Sequence, residues 1–180
     1  MPAFIAMLRG INVSGHKPVK MDRLRASFEA LGYTAVKTYI QSGNVLFTAA
    51  NKPDRELAAK IERKILDDFG FEVPVLIRSA KELDGVLQGN PLAGKQEMDE
   101  MRLYVTFLSG QAPATAEASL KPLAAKAEQF FVRGREIYFF CPHGYGQTKF
   151  SNAAFEKKLG LQATTRNWRT VNVLAGMMRE

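Results

Sequence analysis

Two short runs of β-prone residues surround a polar turn in the stretch Val36-Lys37-Thr38-Tyr39-Ile40-Gln41-Ser42-Gly43-Asn44-Val45-Leu46-Phe47-Thr48. Branched and aromatic side chains favour strands, and a glycine lets the chain reverse with a positive φ angle. The pattern predicts a β-hairpin with strands at Val36–Ile40 and Val45–Thr48, joined by Gln41–Asn44. This hairpin is the centre of the first predicted folding unit.

The segments on either side of the hairpin each supply a helix and a strand. Residues 2–8 are apolar throughout and predict a buried strand, and apolar positions at helical spacing in residues 21–31 predict a helix. After the hairpin, the same spacing in residues 57–69 predicts a second helix, and residues 73–78 predict a strand. The first half therefore has the order β-α-β-β-α-β, which is typical of a ferredoxin-like unit.

The second half repeats this order of elements. We predict a strand at 101–109, a helix at 113–127, strands at 129–132 and 136–141, a helix at 150–159 and a strand at 161–164. A capping-box pattern at Ser79–Glu82 predicts a linking helix between the halves. We therefore expect an α+β fold of two ferredoxin-like β-α-β-β-α-β halves with an additional linking helix and a C-terminal helix. The expected domains are residues 1–90 and 91–180.

The composition limits the chemistry and the compartment. Of the 180 residues, 46% are hydrophobic and 24% are charged, which is typical of a globular protein with a real core. A single cysteine excludes an intramolecular disulfide, and with only two histidines we expect no zinc site and no other metal. No apolar run approaches the roughly 18 residues of a membrane helix, so we expect a cytoplasmic protein without membrane contact.

The positive charge is concentrated near the two ends of the chain. Residues 9–25 hold five Lys or Arg against one acid, and residues 131–180 hold eight against three. The segment between them holds twelve against fourteen, and the net charge of the whole chain is +7. An uneven distribution of charge favours an anionic partner, either a phosphorylated small molecule or a nucleic acid. The alternative is that these segments are simply basic surfaces in contact with solvent.

Four motifs in this order resemble a known family. They are Leu8–His16, Thr38–Val45, Lys149–Asn152 and Thr164–Val171, and they are similar to the N-terminal and C-terminal signatures of an uncharacterised bacterial family, domain of unknown function 1697. The resemblance covers essentially the whole chain and implies a compact α+β fold related to ferredoxin-like units. It implies no assigned activity, substrate or cofactor.

The predicted topology brings polar loops together in each half. The loop after the first strand should lie beside the hairpin turn, and the helix at 150–159 should begin beside the start of the last helix. We define these groups as the N-terminal cluster and the C-terminal cluster. The candidate ligand-binding residues are Arg9, Asn12, Lys17, Gln41, Ser42 and Asn44 in the N-terminal cluster, and Lys149, Asn152, Thr165, Arg166, Asn167 and Arg169 in the C-terminal cluster.

Each cluster also has a purely structural interpretation. Gly10 and Gly15 fit ordinary turn geometry, and neither a P-loop nor a Rossmann motif is present, so we expect no cofactor. Asn167 fits a helix N-cap. Basic residues in a first helical turn are disfavoured by about 0.3–1 kcal/mol each, so Arg166 and Arg169, if placed there, would be better tolerated with an anion between them.

Three functions remain open from the sequence. The first is binding of a phosphate-containing ligand or a nucleic-acid backbone through the basic, amide-rich loops. The second is an enzyme acting on a phosphorylated or carboxylated small molecule, with Arg9, Lys149 and Arg166 stabilising charge. The third is a structural or regulatory partner protein. The sequence identifies no general base and no catalytic residue, and it determines neither the ligand nor the oligomeric state.

Overall fold

The computed structural model describes all 180 residues, Met1–Glu180. The first seven elements are β1 (Ala3–Leu8), α1 (Met21–Ala30), β2 (Thr34–Tyr39), β3 (Asn44–Thr48), α2 (Asp54–Phe69), β4 (Val75–Ser79) and α3 (Ala80–Gln88). The next seven are β5 (Leu103–Leu108), α4 (Ala116–Leu120), β6 (Gln129–Arg133), β7 (Glu136–Phe140), α5 (Asn152–Leu159), β8 (Ala163–Asn167) and α6 (Trp168–Met178). None of these helices is both long enough and apolar enough to cross a membrane.

The strands form two four-stranded sheets with the same topology. Their strand orders are β2-β3-β1-β4 and β6-β7-β5-β8, and every neighbouring pair is antiparallel. This is the ferredoxin-like arrangement, and it confirms the α+β fold expected from the sequence. The chain divides into unit 1, Met1–Leu83 with Leu174–Glu180, and unit 2, Asp84–Val173. The boundaries 1–90 and 91–180 stay a prediction about domain organisation.

The core of unit 1 explains why β1 is apolar throughout. Phe4, Ala6 and Leu8 pack with the apolar faces of α1 and α2, while Ile5 and Met7 on the other face are also fully buried. A strand buried on both faces needs apolar residues at every position instead of an alternating pattern. This burial fixes the position at which β1 ends and its polar loop begins.

The core of unit 2 is dominated by aromatic rings. Phe139 of β7 stacks near Phe150, Phe155 and Tyr104, with ring centroids 5.2–5.9 Å apart. Phe150 and Phe155 hold α5 against the sheet, and their buried rings leave the polar start of that helix at the surface. The C-terminal cluster is therefore anchored by the packing of α5.

Two predicted elements differ from the observed ones. The helix predicted at 113–127 is only α4, continued by a 3₁₀ turn at Lys121–Leu123, because Pro122 has no N–H to continue the helical bonds. The strand predicted at 161–164 is β8, which continues to Asn167 because it pairs with β5 over five residues. This second correction moves Arg166 from a helix into a strand.

The two units share a repeated feature at the end of their last strand. Arg78 in β4 pairs with Ile5, Arg166 in β8 pairs with Val105, and both arginines are buried. The next residue caps the following helix in each unit. Ser79 accepts from Glu82 N–H at 3.2 Å in a reciprocal capping box, and Asn167 caps α6. The repeat therefore includes the helix that follows each sheet.

Candidate functional site

The N-terminal cluster lies where β1 ends. Leu8 N–H donates to Gly43 O at 2.9 Å, and Asn12 Nδ2 donates to Gln41 O at 2.8 Å. These bonds join the loop after β1 to the turn between β2 and β3. The structure therefore brings together the two segments that the predicted topology placed side by side.

The loop after β1 folds back on itself as a small finger. Asn12 N–H donates to Lys17 O at 3.0 Å, and His16 N–H donates to Val13 O at 2.8 Å. Ser14 and Gly15 at its tip both have positive φ angles, as in the tight turns of hairpins. The N–H groups of Asn12 and His16 are consumed inside the finger, so they do not cradle a phosphate.

Asn12 fixes the base of this finger. Its side-chain Nδ2 donates to Val19 O at 3.0 Å, and its Oδ1 accepts from Val19 N–H at 2.8 Å. Nδ2 also donates to Gln41 O. Each polar atom of the Asn12 side chain has a partner within the protein, so its clearest role is to hold the loop.

Three other predicted residues also make internal contacts. Lys17 Nζ donates to Glu72 O at 2.6 Å, which directs this ammonium group toward the segment before β4. Asn44 is fully buried, and its Nδ2 donates to Tyr39 O at 3.0 Å and to Ser42 Oγ at 3.2 Å. Asn44 and Ser42 therefore stabilise the β2–β3 turn. Arg9 is half-buried at the end of β1.

A groove of about 630 Å³ opens beside the finger. We call it the loop groove, and it is lined by Asn12, Pro18, Val19, Lys20, Met21, Asp22, Arg23 and Gln41. Two predicted residues, Asn12 and Gln41, thus contribute to it. The remaining lining comes from the segment that leads into α1 and from the first turn of that helix.

The charged groups of the loop groove differ in their contacts. Lys20 is exposed, and its side chain makes no hydrogen bond or ion pair within the protein. Arg23 is engaged, since its Nη2 donates to Asp68 O at 3.0 Å and its guanidinium lies 4.7 Å from the centre of the Phe69 ring. Asp22 is the one acid in the lining. Lys20 is therefore the cation most available to a ligand.

Sequence reasoning did not select Lys20 or Asp22 as site residues. Lys20 occupies the N-cap position of α1, and no side chain caps the N–H groups of the first turn. Ser, Thr, Asp and Asn are the residues preferred at that position. A basic residue in place of a capping residue, directly before the helix predicted at 21–31, was the signal in the sequence that could have drawn attention to Lys20.

In the C-terminal cluster, Asn152 and Thr165 are brought together. Thr165 Oγ1 donates to Asn152 Oδ1 at 2.7 Å and lies 2.7 Å from Thr106 Oγ1. These contacts join the start of α5 to β8 and β5. Ser151 caps α5 by accepting from Ala154 N–H at 3.1 Å, so this helix start is satisfied by its own residues.

Arg166 is a buried strand residue, which corrects its expected place in a first helical turn. Its Nη1 donates to Thr164 Oγ1 at 2.8 Å and to Thr165 O at 3.0 Å. Burial lowers the pKa of Arg166 to about 10, and nearby Tyr145 opposes this change. The group stays cationic at neutral pH, and the helix-dipole argument for an anion beside it does not apply.

The remaining residues of this cluster are a cap and two exposed cations. Asn167 Oδ1 accepts from Thr170 N–H at 2.8 Å and so caps α6, which was the structural alternative predicted for it. Lys149 and Arg169 are exposed, and their side chains make no internal hydrogen bond or ion pair. Arg169 does lie in the first turn of a helix, as predicted.

The two clusters do not occupy equivalent positions in their units. The N-terminal cluster follows the end of β1, whereas Asn167 in the C-terminal cluster pairs with Tyr104 near the beginning of β5. Equivalent strands β1 and β5 therefore carry their clusters at opposite ends. The repeat of the fold is not a repeat of the candidate site.

Other reactive groups give no further site. Cys141 is fully buried, and burial raises the pKa of its thiol to about 12, so it is not poised as a nucleophile. No group of three or more His, Cys, Asp or Glu side chains is arranged to hold a metal ion. Neither Cys141 nor a cluster of metal-ligating side chains therefore adds a second candidate site to the polar loops.

The fold and these loops define a class of protein, an α+β chain of two ferredoxin-like units with a polar loop groove in unit 1. The chain belongs to the family described as protein of unknown function DUF1697, whose model matches residues 1–138. A solved structure of a conserved bacterial protein from Streptococcus pneumoniae has the same fold. It is 24% identical, with 98% of each chain covered and a TM-score of 0.77. No curated protein matches the chain significantly.

Proposed function

We propose that the protein binds a phosphate-containing ligand in the loop groove. The observation that carries the proposal is the free ammonium group of Lys20 on the wall of an open groove of about 630 Å³. Ligand sites for small molecules commonly have volumes of about 300–1,000 Å³. The groove is therefore of a suitable size, and its one unengaged cation favours an anionic group.

The start of α1 supports the same choice of ligand. The N-terminus of a helix has partial positive charge and N–H groups that lack helical partners. At α1 no side chain caps these groups, as is also the case at α2 and α4, whereas α3 and α5 are capped by serines. A phosphate beside Lys20 would satisfy both the helix start and the ammonium group. The side-chain amide of Gln41 adds a neutral hydrogen-bonding group to the same groove.

The two clusters contribute unequally to this proposal. In the N-terminal cluster, Gln41 and Asn12 line the groove, while Lys17 and Asn44 hold the surrounding backbone. In the C-terminal cluster, a ligand role for Lys149 and Arg169 stays a prediction, as does binding of a nucleic-acid backbone. A ligand role for Thr165, Arg166 and Asn167 also stays a prediction, and the hydrogen bonds of these residues within the protein support the structural alternative.

The proposal is tested by titrating the protein with inorganic phosphate and ribose 5-phosphate, followed by backbone NMR shifts and calorimetry. We expect shifts at residues 19–23 and at Gln41, and a loss of affinity of at least tenfold in Lys20→Gln. Lys81→Gln is the matched control, because Lys81 is an exposed lysine of unit 1 outside the groove. If neither probe binds, or if Lys20→Gln and Lys81→Gln have equal affinity, the proposal is contradicted.

A further inference from the structure

Resting on the proposed function, we infer that the ligand of the loop groove is a polyhydroxylated small molecule with a single phosphate group, a sugar monophosphate in chemical class. The inference comes from the size of the groove, the sign of its charges and the hydrogen-bonding capacity of its lining. Each of these properties restricts the ligand in a different way.

The size of the groove requires more than a phosphate ion. The volume of about 630 Å³ is many times the roughly 10–15 Å³ that one water molecule needs in a cavity. Inorganic phosphate beside Lys20 would leave most of the groove filled with solvent. A ligand that occupies the groove must therefore carry a further part that reaches away from Lys20.

The charges of the groove allow one phosphate and disfavour several. Lys20 is the one cation of the lining without an internal contact, since Arg23 donates one N–H to Asp68 O and its guanidinium lies over the Phe69 ring. Asp22, two residues after Lys20, places a carboxylate in the same lining. A second phosphate on the ligand would find only the Arg23 guanidinium, which already contacts Asp68 O and Phe69, and would meet this carboxylate. A triphosphate or a polynucleotide therefore fits the lining less well than a monophosphate.

The same carboxylate selects what the rest of the ligand offers. An ionised carboxylate only accepts hydrogen bonds, and the Gln41 amide both accepts and donates. The Gln41 side chain is exposed, and its one hydrogen-bond contact within the protein, 3.5 Å from Oε1 to Asn12 Nδ2, is at the limit for a hydrogen bond. Neighbouring hydroxyl groups on a ligand can donate to Asp22 and both donate to and accept from Gln41. Pro18 and Val19 supply an apolar surface for the carbon skeleton.

Calorimetry of the full chain at neutral pH tests this inference with five probes. They are inorganic phosphate, ribose, ribose 5-phosphate, phosphoethanolamine and ATP. We expect ribose 5-phosphate to bind at least tenfold more tightly than inorganic phosphate, and ribose alone to bind at least a hundredfold more weakly than ribose 5-phosphate. In Asp22→Ala the tenfold advantage over inorganic phosphate should disappear, whereas Glu97→Ala, which removes an exposed acid outside the groove, should retain it.

The other outcomes separate the two proposals. If inorganic phosphate binds as tightly as ribose 5-phosphate, the inference about hydroxyl groups is wrong and phosphate binding still holds. Tighter binding of phosphoethanolamine would show that Asp22 selects an ammonium group, and tighter binding of ATP would show that the groove prefers several phosphates. Either result overturns the inference. If no phosphate-containing probe binds, the proposed function itself fails.

Discussion

The side-chain amide of Asn12 forms two hydrogen bonds with the backbone of Val19, in the way that two backbone segments pair in adjacent strands. The Asn12 carboxamide donates to Val19 O at 3.0 Å and accepts from Val19 N–H at 2.8 Å. The intervening residues 13–18 are thereby closed into the finger beside the loop groove. The Asn12 side chain therefore supports the wall of the groove, together with the backbone hydrogen bonds inside the finger.

Asn12→Ala should therefore lower the free energy of unfolding by about 2 kcal/mol, because it leaves backbone groups of Val19 and Gln41 without partners. Urea denaturation measures the change. Asn51→Ala is the control, since Asn51 is exposed and makes no hydrogen bond within the protein. Equal stability of the two variants would show that the Asn12 contacts do not hold the loop.

Gly43 is required by a close approach as well as by its backbone angle. Its φ is +87°, and an added Cβ would lie 2.6 Å from Ile11 Cδ1 and 3.0 Å from Leu8 Cβ. Gly15 has a similar φ of +77° with no atom within 4 Å of an added Cβ. We expect Gly15→Ala to lower the free energy of unfolding by about 1 kcal/mol, because alanine is strained at this backbone angle. Gly43→Ala should cost about 1–3 kcal/mol more.

The difference between these two glycine variants isolates the steric contribution of Ile11 and Leu8. Thermal or urea unfolding provides both values under the same conditions. A Gly43→Ala variant as stable as Gly15→Ala would mean that the loop and the β2–β3 turn can separate without loss. The close packing of the two segments would then have no energetic importance.

Arg166 and Arg169 should respond differently to replacement by alanine. Arg166 is buried in β8 and bonded to Thr164 and Thr165, so Arg166→Ala should destabilise the protein by at least about 2 kcal/mol. Arg169 is exposed on α6, so Arg169→Ala should change stability by less than about 0.5 kcal/mol. Denaturation midpoints compare the two. A stable Arg166→Ala variant would contradict a structural role for that side chain.

Asp68 should make the stability of the protein depend on pH. Its Oδ2 accepts from Ser27 Oγ at 2.5 Å, and this bond, with Lys64 and Arg23 nearby, holds the pKa of Asp68 below its usual value. A carboxyl with a lowered pKa in the folded state stabilises it above the unfolded pKa of about 3.9, and the contribution is lost as the pH falls further. The Asp68→Asn variant should therefore be less stable than the wild type at pH 7, and the difference in the free energy of unfolding should shrink below about pH 4.

The control for Asp68 is its neighbour Asp67. Asp67 is exposed and forms only a surface ion pair with Arg63, at 3.3 Å on the same helix. Asp67→Asn should follow the wild type closely at every pH, because such pairs contribute little. If Asp68→Asn also follows the wild type from pH 7 to pH 3, the lowered pKa has no effect on stability.

The local signals in the sequence predicted most of the fold. The hairpin around Gly43, the capping box at Ser79–Glu82 and the apolar run of β1 depend on neighbours a few residues away. Such interactions are encoded in short stretches of sequence. The element order then predicted the topology, because crossover connections have few allowed arrangements.

Of the two misplaced elements, α4 was shortened by Pro122 within its own segment, whereas β8 depends on a distant partner. β8 continues through Arg166 because it pairs with β5, which lies some sixty residues earlier (Val105↔Arg166). Thr164–Asn167 fits a strand end as well as a helix start, because threonine favours strands and both threonine and asparagine favour the N-cap position. The segment forms a strand because pairing with β5 satisfies the hydrogen bonds of its backbone. The local sequence pattern does not show that β5 is the partner.

The candidate site, like the fold, was predicted in part from local sequence and in part depends on distant contacts. The sequence by itself determined that a basic loop follows β1 and that it lies beside the β2–β3 turn. Only the tertiary structure decided which cations remain available, because hydrogen-bond partners such as Glu72 O for Lys17 come from far along the chain. Lys17 was predicted as a ligand residue and is held by that carbonyl, whereas Lys20, three residues later, lines the groove without a partner. Fixed backbone positions, which exist only after folding, distinguish these two lysines.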